Sequence, residues 1–82
     1  MSKFWYNTCP ECGQGRLFVM KRRDSAELCL VCEECESAWH SPEESTDTSK
    51  NFSIAGMNFD YADKKELERA GWLRFSLKET EM

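Results

Sequence analysis

The chain has 82 residues, of which 40% are hydrophobic and 12% are aromatic, and its formal net charge is −4 at pH 7. This composition excludes a chain that is disordered throughout, and no apolar run approaches the roughly 18–20 residues that a transmembrane helix needs. A single domain of this size has a marginal core unless a staple such as a bound metal supports it.

Charge is distributed unevenly along the chain. Residues 1–23 contain five basic residues and one acid, residues 24–49 contain eight acids and no lysine or arginine, and residues 50–82 contain six of each sign. An acidic excess favours a basic partner over nucleic acid, whose phosphates it repels. We therefore expect a protein partner with a basic surface.

The first half of the chain has the pattern of a β-hairpin between two turns. Apolar and aromatic runs predict strands over residues 3–7, 16–22, 28–31 and 37–40. The polar residues 23–27 suit the hairpin loop, and two glycines in residues 13–15 indicate a turn. Residues 1–40 are thus predicted to form a small, mainly β unit of about three antiparallel strands with a cysteine pair at the end of each hairpin arm.

The second half is predicted to contain one short helix. Residues 41–50 are polar and are interpreted as a linker or loop, and residues 51–82 as a C-terminal segment that packs on the first unit. Asp63 and Glu66 have the spacing of a capping box, and Gly71 suits the end of the helix. The sequence therefore predicts a helix of about two turns with Asp63 as its N-cap.

Apolar residues in and after this helix are expected to contact the core. Leu67 and Ala70 lie on one predicted helix face, and Trp72 and Leu73 follow the glycine closely enough to fold back onto Leu67. Alternation of apolar and polar residues over positions 75–77 predicts a short terminal strand.

Four cysteines occur as two tight pairs, with the spacing C-x2-C-x19-C-x2-C. Such spacing is typical of a structural zinc site, because a C-x2-C turn brings two thiolates to one metal. The predicted ligands of a single Zn²⁺ ion are Cys9, Cys12, Cys32 and Cys35. Four thiolates leave zinc no open position for water or substrate, so we expect no enzymatic activity and no catalytic residues.

Several alternatives to this ligand set stay open at the sequence level. Cys29 and Cys32 also form a C-x2-C pair, so Cys29 competes with Cys35 as the fourth ligand. His40 is a weaker candidate because four thiolates already satisfy the metal. Iron also binds four cysteines, and sequence separates it poorly from zinc. Disulfides and a redox C-x-x-C motif fit less well, since no export signal and no βαβ pattern accompany the cysteines.

Two charged clusters are candidate contact sites. The expected protein-binding residues are the acids of the central run, Glu33, Glu34, Glu36, Glu43 and Glu44. The alternative is nucleic-acid contact through the basic hairpin tip, Lys21, Arg22 and Arg23, together with Arg16. Asp24 and Glu27 lie on the same loop and offset that field within a Debye length of about 8–10 Å, so nucleic acid is the less favoured partner.

The motif Cys9-Pro10-Glu11-Cys12-Gly13, followed after a hairpin by Cys32-Glu33-Glu34-Cys35, resembles the zinc-ribbon superfamily over roughly residues 3–40. This resemblance implies a ribbon fold and a metal-binding role for the four cysteines, but it leaves the function open. The stretches CEECESAWHSPEE and ELERAGW look like small bacterial proteins that join a ribbon to a C-terminal helix.

By analogy of size and charge with bacterial immunity proteins, we expect an acidic, non-catalytic antagonist that neutralises a toxin. Because the sequence contains five cysteines and no pattern of an export signal, we expect a reducing, cytoplasmic compartment. The alternative function is that of a zinc ribbon associated with nucleic acid or transcription.

Overall fold

In a computed structural model, which describes residues 2–81 and the side chains of residues 3–80, the main structural unit is a seven-stranded antiparallel sheet. One short α-helix, α1, covers Lys64–Ala70. The prediction of a small, mainly β fold with an antiparallel sheet and one short helix is confirmed. The strands are β1 (Ser2–Thr8), β2 (Arg16–Arg22), β3 (Leu28–Cys32), β4 (Ser37–Trp39), β5 (Phe52–Ser53), β6 (Phe59–Tyr61) and β7 (Lys78–Glu81).

The central strand of the sheet is β2. Along the sheet the order is β5-β4-β3-β2-β1-β7, and β6 also pairs with β2. On one side, β2 pairs with β3 over five residues, from Leu17↔Cys32 to Lys21↔Leu28. β1 contacts the beginning of β2 at Arg16 and Phe18, while β6 pairs with its end from Met20 to Arg22. Strands from both halves of the sequence therefore belong to one sheet.

The main core lies on the face of the sheet that α1 covers. Its fully buried side chains include Leu17, Val19, Leu30 and Trp39 from the strands, and Leu67 from α1 packs among them. Trp72 and Phe4 complete this cluster of buried residues. Because side chains alternate across a strand, these positions leave their neighbours in β2 and β3 on the opposite face.

The opposite face has a smaller apolar cluster. Cys29, Val31 and Ala38 are buried there, and the partly buried side chains of Met20, Phe52, Ile54 and Phe59 pack against them. The partial exposure of this second set indicates a thinner cover than α1 provides on the first face.

The helix ends agree with the sequence prediction. The Asp63 carboxylate accepts a hydrogen bond from the Glu66 backbone N–H at 2.8 Å, and the Glu66 carboxylate accepts one from the Asp63 N–H at 3.1 Å. Gly71 ends α1 in the left-handed conformation with φ 75°, which glycine adopts without steric cost.

Three predictions around the end of α1 are wrong. Ala70 and Leu73 are exposed, because the left-handed turn at Gly71 leads into a 3-10 helix (Trp72–Arg74) that brings Trp72, rather than either of them, to the core. The terminal strand begins at Lys78 rather than within residues 75–77. Phe75 and Leu77 both pack against the core cluster, as residues two apart on one strand would, but residues 75–77 form no strand.

Residues 41–50 contain two consecutive 3-10 helices, Glu44–Thr46 and Thr48–Lys50. They are held to the sheet by the Trp39 indole, whose Nε1–H donates to the Asp47 carbonyl oxygen at 3.0 Å. Pro42 and Ser45 are buried in this segment. Within residues 2–81, no helix has the length and apolar character that crossing a membrane requires.

Candidate metal centre

Four sulfur atoms meet at one end of the sheet. The Sγ atoms of Cys9, Cys12, Cys32 and Cys35 all lie within 4.8 Å of one another. The Sγ atoms of Cys9 and Cys35 are 3.6 Å apart, as are those of Cys12 and Cys32. The prediction that these four cysteines come together in a position to bind a metal ion is confirmed.

The sheet places the two cysteine-bearing turns side by side. Cys9 follows β1 directly, and Cys32 is the last residue of β3, opposite Leu17 of β2. Two backbone hydrogen bonds continue the ladder into the turns, from the Cys9 N–H to the Gly15 carbonyl at 2.7 Å and from the Glu33 N–H to the Arg16 carbonyl at 3.1 Å. Because β2 lies between β1 and β3, its beginning holds both turns at the same end of the sheet.

Backbone N–H groups point at the sulfur atoms. The Gly15 N–H donates to Cys12 Sγ at 3.4 Å, and the N–H groups of Glu34 and Cys35 donate to Cys32 Sγ at 3.3 and 3.4 Å. Donation from Gly15, with further donation from Gln14, lowers the pKa of the Cys12 thiol to about 7. These donors stabilise the thiolate, which is the form of cysteine that binds metal.

Burial has the opposite effect on the pKa of the two buried cysteines of the cluster. Burial raises the pKa of Cys9, and it raises the pKa of Cys32 to about 12. Without a cation, thiolates at these buried positions are therefore disfavoured. A divalent metal supplies the missing charge, since a coordinating thiol is deprotonated outright.

The arrangement fits a tetrahedral metal with soft ligands. Zn–S bonds of about 2.3 Å place the corners of a regular tetrahedron about 3.8 Å apart, close to the two 3.6 Å sulfur separations. All four donors are sulfur, and they leave no vacant position in a tetrahedral shell. Iron in a four-cysteine site needs the same donors.

Cys29 and His40, the competing ligand candidates, lie elsewhere. Cys29 is buried on the opposite face of the sheet with Val31 and Ala38, and burial raises its pKa to about 12. His40 is exposed, and its ring stacks on Phe52 with 4.5 Å between ring centroids. Neither residue belongs to the four-sulfur cluster.

Gly15 is a site residue whose role sequence reasoning missed. A Cβ atom at this position would lie 2.6 Å from Cys32 Sγ and 2.9 Å from Glu34 Cγ, both closer than van der Waals contact allows. The absence of a side chain at Gly15 therefore permits the two cysteine turns to approach each other. The only sequence signal was its place in a glycine-rich turn, which does not indicate contact with a distant cysteine.

The acids proposed as partner contacts fall into three groups. Glu33 is already engaged, because its carboxylate accepts hydrogen bonds from the Arg16 backbone N–H at 2.9 Å and from Arg16 Nε at 2.8 Å. Glu34, Glu36 and Glu43 are exposed, although Glu43 lies 3.5 Å from an arginine guanidinium. Glu44 is half-buried at the beginning of a 3-10 helix.

The basic hairpin tip forms ion pairs within the protein. Lys21 pairs with Glu66 of α1. Arg22 binds the carboxylate of Asp24, and Arg23 binds that of Asp60, each through two hydrogen bonds of 2.9–3.1 Å. Each of the three cations therefore has a carboxylate within reach, which reduces the field that the tip presents to phosphates.

No family model, no curated protein and no solved structure matches this chain.

Proposed function

We propose that this chain binds one structural Zn²⁺ ion and acts as a non-catalytic protein-binding module of the zinc-ribbon type. The observation that carries the metal assignment is the cluster of four sulfur atoms within 4.8 Å of one another. Thiolates in a closed tetrahedron are the donor set of structural zinc sites, and zinc is the metal most often bound by them. Because the shell has no open position, zinc here supports folding rather than chemistry.

Metal analysis of the purified protein tests this assignment. Elemental analysis should give one zinc per chain, and X-ray absorption should give four sulfur neighbours at about 2.3 Å. Cys29→Ser is the matched control, since it removes a cysteine outside the cluster and should leave the stoichiometry unchanged. Iron in place of zinc, or a coordination shell with an oxygen donor, would contradict the proposal of a closed zinc site.

The proposed partner is a protein with a basic surface. Support comes from the contrast between the two charge types, since Lys21, Arg22 and Arg23 pair internally while Glu34 and Glu36 are exposed. Exposed carboxylates of this kind raise the rate of association with a basic surface and contribute to partner choice. In its most concrete form, the proposal is an immunity-type antagonist that neutralises a bacterial toxin in the cytoplasm.

A binding experiment with matched charge changes tests the partner proposal. A basic protein recovered from host lysate on the immobilised zinc-loaded chain is purified and titrated against the wild type and against a variant with Glu34→Gln and Glu36→Gln. The association rate should fall in the variant and should fall with added salt in the wild type. Glu68→Gln on α1 is the control. Equal loss in the control and in the variant, or no salt dependence, would contradict an acidic docking surface.

The toxin interpretation needs a functional readout of its own. If the recovered protein is toxic when expressed alone, co-expression of this chain should restore growth, and the Glu34→Gln and Glu36→Gln variant should restore it less well. Recovery of growth by a variant that no longer binds the partner would show that neutralisation does not depend on this contact.

A further inference from the structure

The face of the sheet opposite α1 carries a continuous row of cross-strand neighbours. The pairing register aligns Lys78 of β7 with Trp5 of β1, Trp5 with Phe18 of β2, and Phe18 with Val31 of β3. Directly opposed residues in an antiparallel sheet point to the same side. We call the part of this face formed by Lys3, Trp5, Arg16, Phe18, Tyr61 and Lys78 the aromatic–cationic patch.

Aromatic rings form the centre of the aromatic–cationic patch. Phe18 is buried, and Tyr61 meets it edge to face with 5.7 Å between ring centroids. Tyr61 itself is 42% exposed, and Trp5, on the other side of Phe18, is half-buried. Since α1 packs on the opposite face through Leu67, these rings are not covered by α1.

Three cations border the same rings. Lys3 Nζ lies 3.9 Å from the centroid of the Tyr61 ring, and Lys78 Nζ lies 4.8 Å from that of Trp5. The Arg16 guanidinium lies 4.9 Å from the centroid of Phe18 and 5.8 Å from that of Trp5. Such contacts are weak at exposed sites, so a polyanion can draw these flexible side chains away from the rings.

The charge of the aromatic–cationic patch is positive although the whole chain is acidic. Glu79, the neighbour of Lys78 in β7, pairs with the core residue Phe4 and so points to the other face. Arg16 is bound to Glu33, whereas the ammonium groups of Lys3 and Lys78 form none of the protein's ion pairs between residues 3 and 80. Two lysines thus supply uncompensated positive charge beside accessible rings.

We propose that the aromatic–cationic patch binds single-stranded nucleic acid. Bases stack on Trp5 and Tyr61, and the ammonium groups of Lys3 and Lys78 contact the phosphates. Proteins bind single-stranded nucleic acid with exposed aromatic rings and cations that lie side by side on a sheet. Each base has a π-face that can stack on a ring, and each phosphodiester linkage carries a negative charge. An acidic peptide would satisfy the lysines but offers no regular series of planar rings for the aromatic side chains.

This site goes beyond the proposed protein-binding function and uses different residues. It lies on β1, β2, β6 and β7, outside the acidic run of residues 24–49. It also differs from the hairpin tip, whose cations pair internally. Failure of either proposal therefore leaves the other standing.

Intrinsic fluorescence reports on the aromatic–cationic patch directly. Trp39 and Trp72 are buried, while Trp5 is half-buried in the patch. Titration of the zinc-loaded protein with oligo(dT) or oligo(U) of about 12 nucleotides should quench tryptophan emission, and anisotropy of the labelled strand gives the affinity. Tyr61→Ala should weaken binding by about fivefold to 150-fold, and Tyr61→Phe, which keeps the ring, should weaken it far less.

The lysines are tested by salt dependence. Lys78→Gln should lower the affinity and reduce the slope of log affinity against log salt by about 0.7, the value for one phosphate contact on a single strand. Lys65→Gln, which makes the same charge change on α1, should leave both unchanged. Circular dichroism and zinc content confirm that each variant is folded.

Three results would overturn the proposal. One is the absence of binding at low salt, and another is equal weakening by Lys78→Gln and Lys65→Gln. The third is binding of oligo-glutamate as tightly as the oligonucleotides, with no dependence on the Tyr61 ring, which would identify an acidic peptide as the ligand.

Discussion

The two cysteine turns, residues 9–13 and residues 32–36, reach nearly the same geometry by different means. In each, the first cysteine is buried and the second is partly exposed. In each, the residue after the second cysteine is left-handed, with φ 69° at Gly13 and 57° at Glu36. The left-handed residue that follows each cysteine pair is therefore shared, while the residue type that adopts it differs.

The difference lies in what stabilises each turn. The first turn has Pro10 and Gly13, whose backbone preferences suit a tight turn without outside help. At the corresponding positions the second turn has Glu33, which is bound to Arg16, and Glu36, which adopts an unfavourable φ. Local conformational preference thus shapes the first turn, and contacts with β2 compensate for its absence in the second.

Removal of one of the four clustered cysteines should have the largest effect on stability. The loss should be the same whether the cysteine comes from the first turn or from the second. Cys12→Ala and Cys32→Ala each remove one sulfur atom from the four-sulfur cluster, and under the zinc proposal each loses a metal that supplies on the order of 10 kcal/mol in small metal domains. We expect both variants, and the wild type after exhaustive chelation, to lose cooperative thermal unfolding. A variant that keeps its zinc and melts normally would show that the turns do not share one ion.

Cys29→Ser should have a much smaller effect than loss of a ligand. The hydroxyl replaces a thiol that is 1% exposed in an apolar cluster, and an unsatisfied buried hydroxyl costs about 1–3 kcal/mol. Denaturant unfolding should show this loss while zinc stoichiometry stays at one per chain. Zinc loss equal to that of Cys35→Ser would contradict the proposal that the four clustered cysteines are the ligands.

Gly15→Ala tests the contact between the two turns. The new methyl group would meet Cys32 Sγ, and overpacking of this kind costs about 1–3 kcal/mol. Because the clash involves a ligand, we also expect weaker zinc affinity in a competition assay with a chromogenic chelator. Unchanged zinc affinity would mean that the turns separate without disturbing the metal.

In each turn, the residue that follows the second cysteine can be tested by exchanging glycine and a larger residue. The two exchanges should change the stability of the protein in opposite directions. Gly13→Ala places a side chain at φ 69° with no clash, so it should cost about 1–2 kcal/mol. Glu36→Gly relieves the same strain and should stabilise the protein by up to about 1 kcal/mol. Thermal unfolding with zinc bound measures both, and equal destabilisation would remove the distinction between the turns.

The smallest expected effect is the pH dependence of the Arg16–Glu33 pair. Arg16 holds the pKa of the Glu33 carboxyl below its usual range, mainly by hydrogen bonding to the carboxylate. A lowered folded-state pKa contributes stability above the unfolded pKa of about 4.3 and loses it as pH falls through the folded value.

The comparison of wild type with Arg16→Gln checks this sign. Their stability difference should be greatest near neutral pH and should shrink as pH falls towards the acid limit of zinc binding. Glu33→Gln should remove the part of the pH dependence of stability that comes from this pair. A difference that grows on acidification would show that the pair does not act through the ionised carboxylate.

Local patterns in the sequence were sufficient to predict several elements. The spacing of four cysteines predicted the cluster, a run of apolar residues predicted β2 with its observed bounds, and the capping box at Asp63 and Glu66 predicted the start of α1. Each of these signals acts over a few residues, or through a ligand spacing that one metal requires.

Other features could not be predicted because they depend on residues distant in sequence. The short strands β5 and β6 have weak patterns and are stabilised by pairing with β4 and β2. The ion pairs of Lys21 and Arg23 join the hairpin to residues about 40 positions later. Ala70 has the spacing of a core residue but is exposed, because the turn at Gly71 brings Trp72 to the core instead.

By itself, the sequence determined the two cysteine pairs, the central hairpin and the ends of the helix, since turn chemistry, apolar runs and capping act locally. Only the tertiary structure decided which charges remain exposed, where Gly15 allows the turns to meet, and which sheet face α1 covers. Those outcomes depend on pairing between segments far apart in the chain, and the free energy of such contacts is gained only when the whole sheet assembles.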